Sequence, residues 1–391
     1  MELRDSPVQA RFRAEVRAWL AAQPPAPLPS GDAERVAFAR AWQRRLFDGG
    51  WAGLDWPREY GGRGATPIES VIFQEEYARA GAPDLIQLSV GTSLVGPTLI
   101  ACGAEWQKQR FLAPILRGDE IWCQGFSEPN AGSDLASLRT RGELDGDAIV
   151  VTGQKIWTSF AIYAGWCIAI VRTDPAAPKH HGLTFLLVDM ASPGISIRPL
   201  REMTGEAWFN EVFLDRVRVP VANVVGEIGR GWDVVLTTLA HERGSSAAHA
   251  RTGAKLDRLI ELARRTPHPN GGGRPAAEDA RIRQRLAQHL TEVAILRVSA
   301  YRNASALERT GVPGPEGSTL KLAWSELEQR IQETAVEILG LAGLVPEGDP
   351  SAVDGGSWCH ELLWSRAVTI YAGTSEVQRN ILASRVLGLP R

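Results

Sequence analysis

Between Gln124 and Ser159 the chain carries side chains suited to holding a phosphate-bearing ligand and a flat ring. The stretch opens Gln124-Gly125-Phe126-Ser127-Glu128-Pro129-Asn130-Ala131-Gly132-Ser133-Asp134 and closes Lys155-Ile156-Trp157-Thr158-Ser159. Its first part reads as a loop, because Ser, Pro, Asn, Gly and Asp follow one another with no periodic apolar set. Short side chains there leave backbone N–H groups and hydroxyls open to phosphate oxygens. The second part follows a turn at Asp145-Gly146 and reads as a strand from Ile149 to Trp157, ended by an indole and two hydroxyls. An indole can cover one face of a heterocycle while hydroxyls reach its edge. Taken alone, the loop reads as readily as a surface turn, and Trp157 as a residue of a β core.

Together, the run Gly125 to Asp134 and the Trp157-Thr158-Ser159 ending closely resemble the two flavin-contacting signatures of the acyl-CoA dehydrogenase family. Further matches follow in the expected order, from Trp56-Pro57 to Gly373-Thr374-Ser375, so the resemblance covers nearly the whole chain. It is most similar to actinobacterial and proteobacterial members, several of which act on bulky, branched or steroid-derived acyl-CoAs.

The elements that must position these residues fall into three segments. Asp5 or Ser6 can cap a helix with Pro7 at its first position and Val8, Phe12, Val16, Trp19 and Leu20 on one face. A second helix carries Val36, Ala39, Trp42, Leu46 and Phe47 and ends at Gly49-Gly50. Thr66-Pro67-Ile68-Glu69 is a capping box opening a third through about Arg79, and helices are expected over 93–102 and 105–117. From Ile121 the period shortens, with strands expected near 148–157, 165–172, 182–189, 195–200 and 209–219. No helix of useful length separates them, which predicts an antiparallel barrel or sandwich. Gly226-Glu227-Ile228-Gly229-Arg230-Gly231 lacks a βαβ setting and reads as a turn into the next helix, not a dinucleotide fingerprint. One long helix is expected from Trp232 to Arg265, then helices over 277–310, 318–340, 357–371 and 374–387. The expected fold class is therefore α+β multidomain: an N-terminal all-α domain (1–120), a central antiparallel β domain (121–228) and a C-terminal four-helix-type bundle (229–391). This is also the fold the resemblance implies.

Composition bounds the partners. The 391 residues carry a formal net charge of −2, which disfavours nucleic acid or an anionic membrane. Cys102, Cys123, Cys167 and Cys359 show no paired spacing, so neither a disulfide framework nor a zinc site is expected, and no metal is invoked. The start of the chain lacks an apolar leader-like core and no apolar run reaches bilayer length, which predicts a cytoplasmic protein.

The resemblance implies FAD as cofactor and oxidation of an acyl-CoA thioester to the 2-enoyl-CoA. Such chemistry needs a carboxylate to take the α proton, donors for the thioester oxygen and a flavin placed against the β carbon. Many members carry Glu immediately before the Gly-Thr-Ser of the C-terminal segment; Ala372 stands there, and alanine takes no proton. A minority branch places the base on the first long helix of the last domain, just before an Arg, which makes Glu242 the candidate, with Arg243 near CoA or substrate. For a helical Glu beside cations, an ion pair is the plain alternative. The resemblance places Gln124, Phe126, Ser127, Gly132, Ser133, Trp157, Thr158 and Ser159 at the flavin, with Ser133 also toward CoA. Thr374 and Glu376 match positions near the adenine half, and Gly340 begins a glycine turn whose second glycine is replaced by Leu341. Ala372 keeps a backbone donor for the thioester oxygen, and Gly373 permits close approach of substrate. The resemblance further implies an electron-transferring flavoprotein as acceptor and assembly as a homodimer, homotetramer or heterotetramer. Two rivals stand beside this reading: a half-site subunit of a heteromeric dehydrogenase, and an acyl-CoA oxidase or flavin monooxygenase on the same fold.

Overall fold

A computed structural model of the chain describes residues 4–29, 31–243, 248–267, 272–312 and 314–390; the side chains of Glu242 and Arg243 also lie outside the described set. In chain order the helices are α1 (Pro7–Ala22), α2 (Asp32–Asp48), α3 (Pro67–Arg79), α4 (Ile86–Ser89), α5 (Gly96–Cys102) and α6 (Glu105–Arg117). Strands follow: β1 (Trp122–Gly125), β2 (Arg141–Asp145), β3 (Ala148–Ser159), β4 (Trp166–Arg172), β5 (Leu183–Asp189), β6 (Ile195–Leu200), β7 (Phe209–Pro220) and β8 (Val224–Val225). Helices resume as α7 (Gly231–Arg243), α8 (Ala248–Arg265), α9 (Ala280–Thr310), α10 (Gly317–Leu339), α11 (Ser357–Val368) and α12 (Ser375–Ile381).

Local signals set several of these boundaries. Ser6 and Gln9, and again Thr66 and Glu69, each exchange side-chain and backbone hydrogen bonds across a first turn that begins with proline. Each such cap contributes about 1 kcal/mol to its helix. Phe12, Val16 and Leu20 are buried as expected, whereas Val8, at the mouth of the helix, is exposed. The helix expected over 93–102 starts earlier: α4 runs into a π-helical turn, Val90–Val95, before α5.

By packing, the chain divides into two compact units: Met1–Pro24, Thr66–Ala82 and Arg243–Arg391 form one, Pro25–Ala65 and Pro83–Glu242 the other. In the first, α8, α9 and α11 pack on α10 around Leu259, Leu262, Leu327, Ile331, Ile338 and Trp358. In the second, the strands form one sheet in the order β6-β7-β3-β2-β4-β5-β8, with β1 beside β4. Most of its pairings are antiparallel, as expected, and two are parallel, which makes the sheet mixed. β1 runs parallel to β4, with Cys123 opposite Cys167, and β2 meets β4 in parallel at Arg141 and Arg172. β2 runs with β1 and β4 and β3 against them, so the chain reverses at the β2–β3 hairpin and again before β4. Gln124 and Gly125 belong to β1 and not to a loop. The helix expected from Trp232 to Arg265 is described as α7 and α8; residues 244–247 lie outside the described set. Among the described residues, no helix is long and apolar enough to cross a membrane.

Candidate active site

Beyond β1 the chain makes a tight reversal in which Glu128 and Ala131 exchange backbone hydrogen bonds across Pro129-Asn130. Gly132 and Ser133 follow on the surface. Lys155, fully buried on β3, holds this reversal in place: its Nζ donates to the Phe126 carbonyl at 3.2 Å and to the Glu128 carboxylate at 2.9 Å. The same carboxylate accepts from the N–H groups of Arg139 (2.7 Å) and Thr140 (2.8 Å). Burial would raise the Glu128 carboxyl, but the Lys155 charge and these donors hold it below its ordinary value. Burial outweighs that pairing for Lys155, whose ammonium is pushed down. One further bond, Ile156 N–H to the Ser127 carbonyl at 2.9 Å, ties the reversal to the strand just before Trp157. The two halves of the sequence signature therefore meet. Phe126 turns inward, edge-on to Phe185 at 5.8 Å, so any cofactor contact it makes falls to its main chain. Gln124 and Ser127 are half-buried.

Strand parity would send Trp157 inward. Ile149, Val151 and Lys155 share its parity, and all three are buried. A bulge changes this: between the pairs Lys155–Val212 and Thr158–Asn210, β3 holds one more residue than β7. Trp157 takes φ 58° and its indole emerges 58 % exposed, edge-on to Phe209, while Thr158 turns fully inward. Phe160 is left-handed as well, at φ 54°. Each such non-glycine residue costs about 1–3 kcal/mol and persists where its surroundings dictate it. An opposite bulge lies earlier in the same ladder. Between Val151–Val217 and Gly153–Leu214 the extra residue is on β7, where Arg216 has φ 51°.

A second turn lies in the other unit, at Ala372-Gly373. Ala372 has φ 54° and Gly373 φ 86°, and the Gln378 amide donates to the carbonyls of both, at 2.8 and 3.3 Å. Thr374 caps α12, its hydroxyl accepting from Val377 N–H at 3.2 Å. Thr374 and Glu376 line an open groove with Gln329, Arg330, Glu333 and Arg379. Both arginines there are already engaged, Arg330 by Glu292 and Arg379 by Glu326. Glu376 is exposed, and its own N–H with the Thr374 hydroxyl holds its carboxyl low. Gly340 ends α10 at φ 58° and ψ −136°, a backbone region open in practice to glycine alone, and Leu341 beside it is 86 % exposed.

Glu242 and Arg243 close α7, and their side chains lie outside the described residues. Sequence reasoning missed Glu128, Lys155, Asn210 and Gln378, which hold the two turns. A lysine at core parity in β3 was the available signal for the first pair.

The residues present fit a flavin nucleotide. Trp157 offers an exposed aromatic face, and Gly132 and Ser133 an exposed small-residue surface; the Thr158 hydroxyl, expected at the flavin, is instead turned fully inward, so any contact Thr158 makes with a ligand falls to its main chain. Comparison with known proteins gives the class. The acyl-CoA dehydrogenase N-terminal, middle and C-terminal domain models match residues 6–119, 123–217 and 229–387. The chain belongs to the acyl-CoA dehydrogenase family, a family of oxidoreductases. It is 43 % identical over 393 residues to the acyl-CoA dehydrogenase IpdE1 of Mycobacterium tuberculosis, covering 97 % of both chains. Among solved structures it is similar to a chain of the ChsE4-ChsE5 complex from Mycobacterium tuberculosis, with 34 % identity, full coverage of both chains and a TM-score of 0.86. The Tcur3481-Tcur3483 steroid ACAD, also at 34 % identity with full coverage of both chains, gives 0.85.

Proposed function

We propose that the chain catalyses FAD-dependent α,β-dehydrogenation of an acyl-CoA thioester to the 2-enoyl-CoA. When bound, FAD accepts the β hydrogen with its electron pair at N5. The supporting observation is the bulge that turns Trp157 outward beside the small-residue reversal, giving a ring platform next to a surface for phosphates. Trp157 covers the ring, while Ser159, Gln124 and Ser127, with the main chain of Thr158 and Phe126, border it. Gly132 and Ser133 take the phosphates, Ser133 also facing CoA. Thr374, Glu376 and Gly340 serve the adenine half. Glu242 takes the α proton, Arg243 anchors the CoA or acyl portion, and the Ala372 N–H donates to the thioester oxygen as charge builds there, with Gly373 leaving room. These roles draw on two of the three sequence segments, 121–228 and 229–391, with 1–120 supplying none of the named residues. An electron-transferring flavoprotein is the proposed acceptor, in the cytoplasm, and similarity to a steroid ACAD supports a bulky, steroid-derived acyl group. The test is a visible spectrum of the purified protein titrated with a panel of acyl-CoAs. Bound FAD that bleaches supports the reading; yellow protein inert to every acyl-CoA refutes it.

A second reading is a half-site subunit of a heteromeric dehydrogenase. Ala372 at the commoner base position, Leu341 in the glycine turn and similarity to a chain of a two-protein complex favour it. FAD uptake that requires a different partner chain would select it over a homodimer or homotetramer.

A further inference from the structure

We propose that Asn210 is the positioning residue that holds Trp157 against the flavin ring; this rests on the dehydrogenase reading above. The segment 157–160 has two left-handed non-glycine residues, one at each end. Something must hold it, because a bulge at a strand end relaxes unless neighbouring groups fix it. Asn210 is opposite Thr158 on β7 and is fully buried. Its Nδ2 donates to the Thr158 carbonyl at 3.0 Å and to the Trp208 carbonyl at 3.1 Å. The Trp208 carbonyl also accepts from Phe160 N–H at 2.7 Å, so the amide grips the residue after Trp157 directly and shares an acceptor with Phe160 at the start of β7. Two acceptors on one NH2 group settle which way the amide points. Its Oδ1 and the Thr158 hydroxyl are buried without partners among the described residues. The two donors of the amide are used and its oxygen is not, so what this buried side chain contributes is the pair of hydrogen bonds to the 157–160 segment and the start of β7.

The experiment compares Asn210→Leu, Trp157→Ala and the double variant for FAD dissociation constant and bound-flavin emission, which a facing indole quenches. Each single change is expected to weaken FAD about tenfold and brighten it, and the double variant to lose about tenfold as well, since both remove one surface. The proposal is overturned if Asn210→Leu binds within about twofold of the unaltered protein, or if the losses multiply to about a hundredfold. Should Asn210→Leu not fold, Asn210→Ser, which keeps one donor, is expected to weaken FAD about threefold; unaltered affinity overturns the proposal. A readout without FAD exists too. The fall in thermal midpoint caused by Asn210→Leu should shrink by about half once Trp157→Gly relieves the left-handed residue. An undiminished fall shows that the amide does not hold Trp157. Unaltered protein that takes up no FAD sinks the dehydrogenase reading and this inference together, before any variant is made.

Discussion

Trp157 and Ala372 are both non-glycine residues in the left-handed region, yet the two turns use that conformation differently. At Trp157 the ladder gains a residue, a side chain is thrust outward, and the restraint comes from another strand through Asn210. At Ala372 no strand is involved. The restraint is local, from Gln378 six residues on, and the group on offer is a main-chain N–H. One turn displays chemistry that depends on residue type; the other displays chemistry that any residue tolerating the backbone can supply. On the roles proposed above, position 372 can lack a carboxylate and still donate through its main chain, whereas position 157 depends on its ring.

Neither turn supplies a proton acceptor, so the largest effect should fall outside both. Glu242→Gln is expected to retain FAD and slow acyl-CoA-dependent flavin reduction by about 10³-fold or more, read by stopped-flow absorbance. Unchanged reduction moves the base elsewhere. Next comes the support beneath the first turn. Glu128→Ala strands the buried Lys155 ammonium and should cost about 3–5 kcal/mol of stability by denaturant unfolding. Because the Glu128 carboxyl lies below its ordinary 4.5 in the fold, its contribution is complete above that pH and lost as pH falls through the lower, folded value. Acid unfolding of Glu128→Ala should accordingly begin from a lower plateau and show a shallower dependence on pH.

The second turn should respond more weakly. Gln378→Leu removes the donor to two carbonyls, for about 1–2 kcal/mol of stability, and should lower kcat while leaving bound-flavin emission unchanged. A change in emission would mean that the turns are not independent. Smallest of all, Ala372→Gly frees a strained backbone at some cost in unfolded-chain entropy, a net shift of about 0–1 kcal/mol toward stability with turnover retained. Ala372→Glu reintroduces the side chain common in the family and is expected to alter acyl-chain preference in the same panel; an inert result would place position 372 away from substrate.

Local features were legible in the sequence. The Ser6 and Thr66 caps, the glycine stop after α2 and the strand cores each depend on residues a few positions apart. The parallel pairing of β1 with β4 was not, because a hairpin separates the two strands and short apolar runs carry no record of direction. Alternation extended along β3 assigns Trp157 to the interior, and only the count of residues on β7 reverses that assignment. Lys155 was visible as a lysine at core parity, but its partner Glu128 looked like ordinary loop polarity. Asn210 gave no signal at all, since an asparagine in a strand is usually a surface residue.

The two opposed irregularities between β3 and β7 cancel, so the strands leave the ladder in step. Deleting one residue from either strand alone would leave that tally unbalanced. Deleting one from each would restore a straight ribbon and send the indole back into the interior. Whether this protein shows an aromatic plate to the outside is thus decided by arithmetic spread over two distant stretches of chain, and a lineage that lost both extra residues could keep the sheet and forfeit the exposed ring.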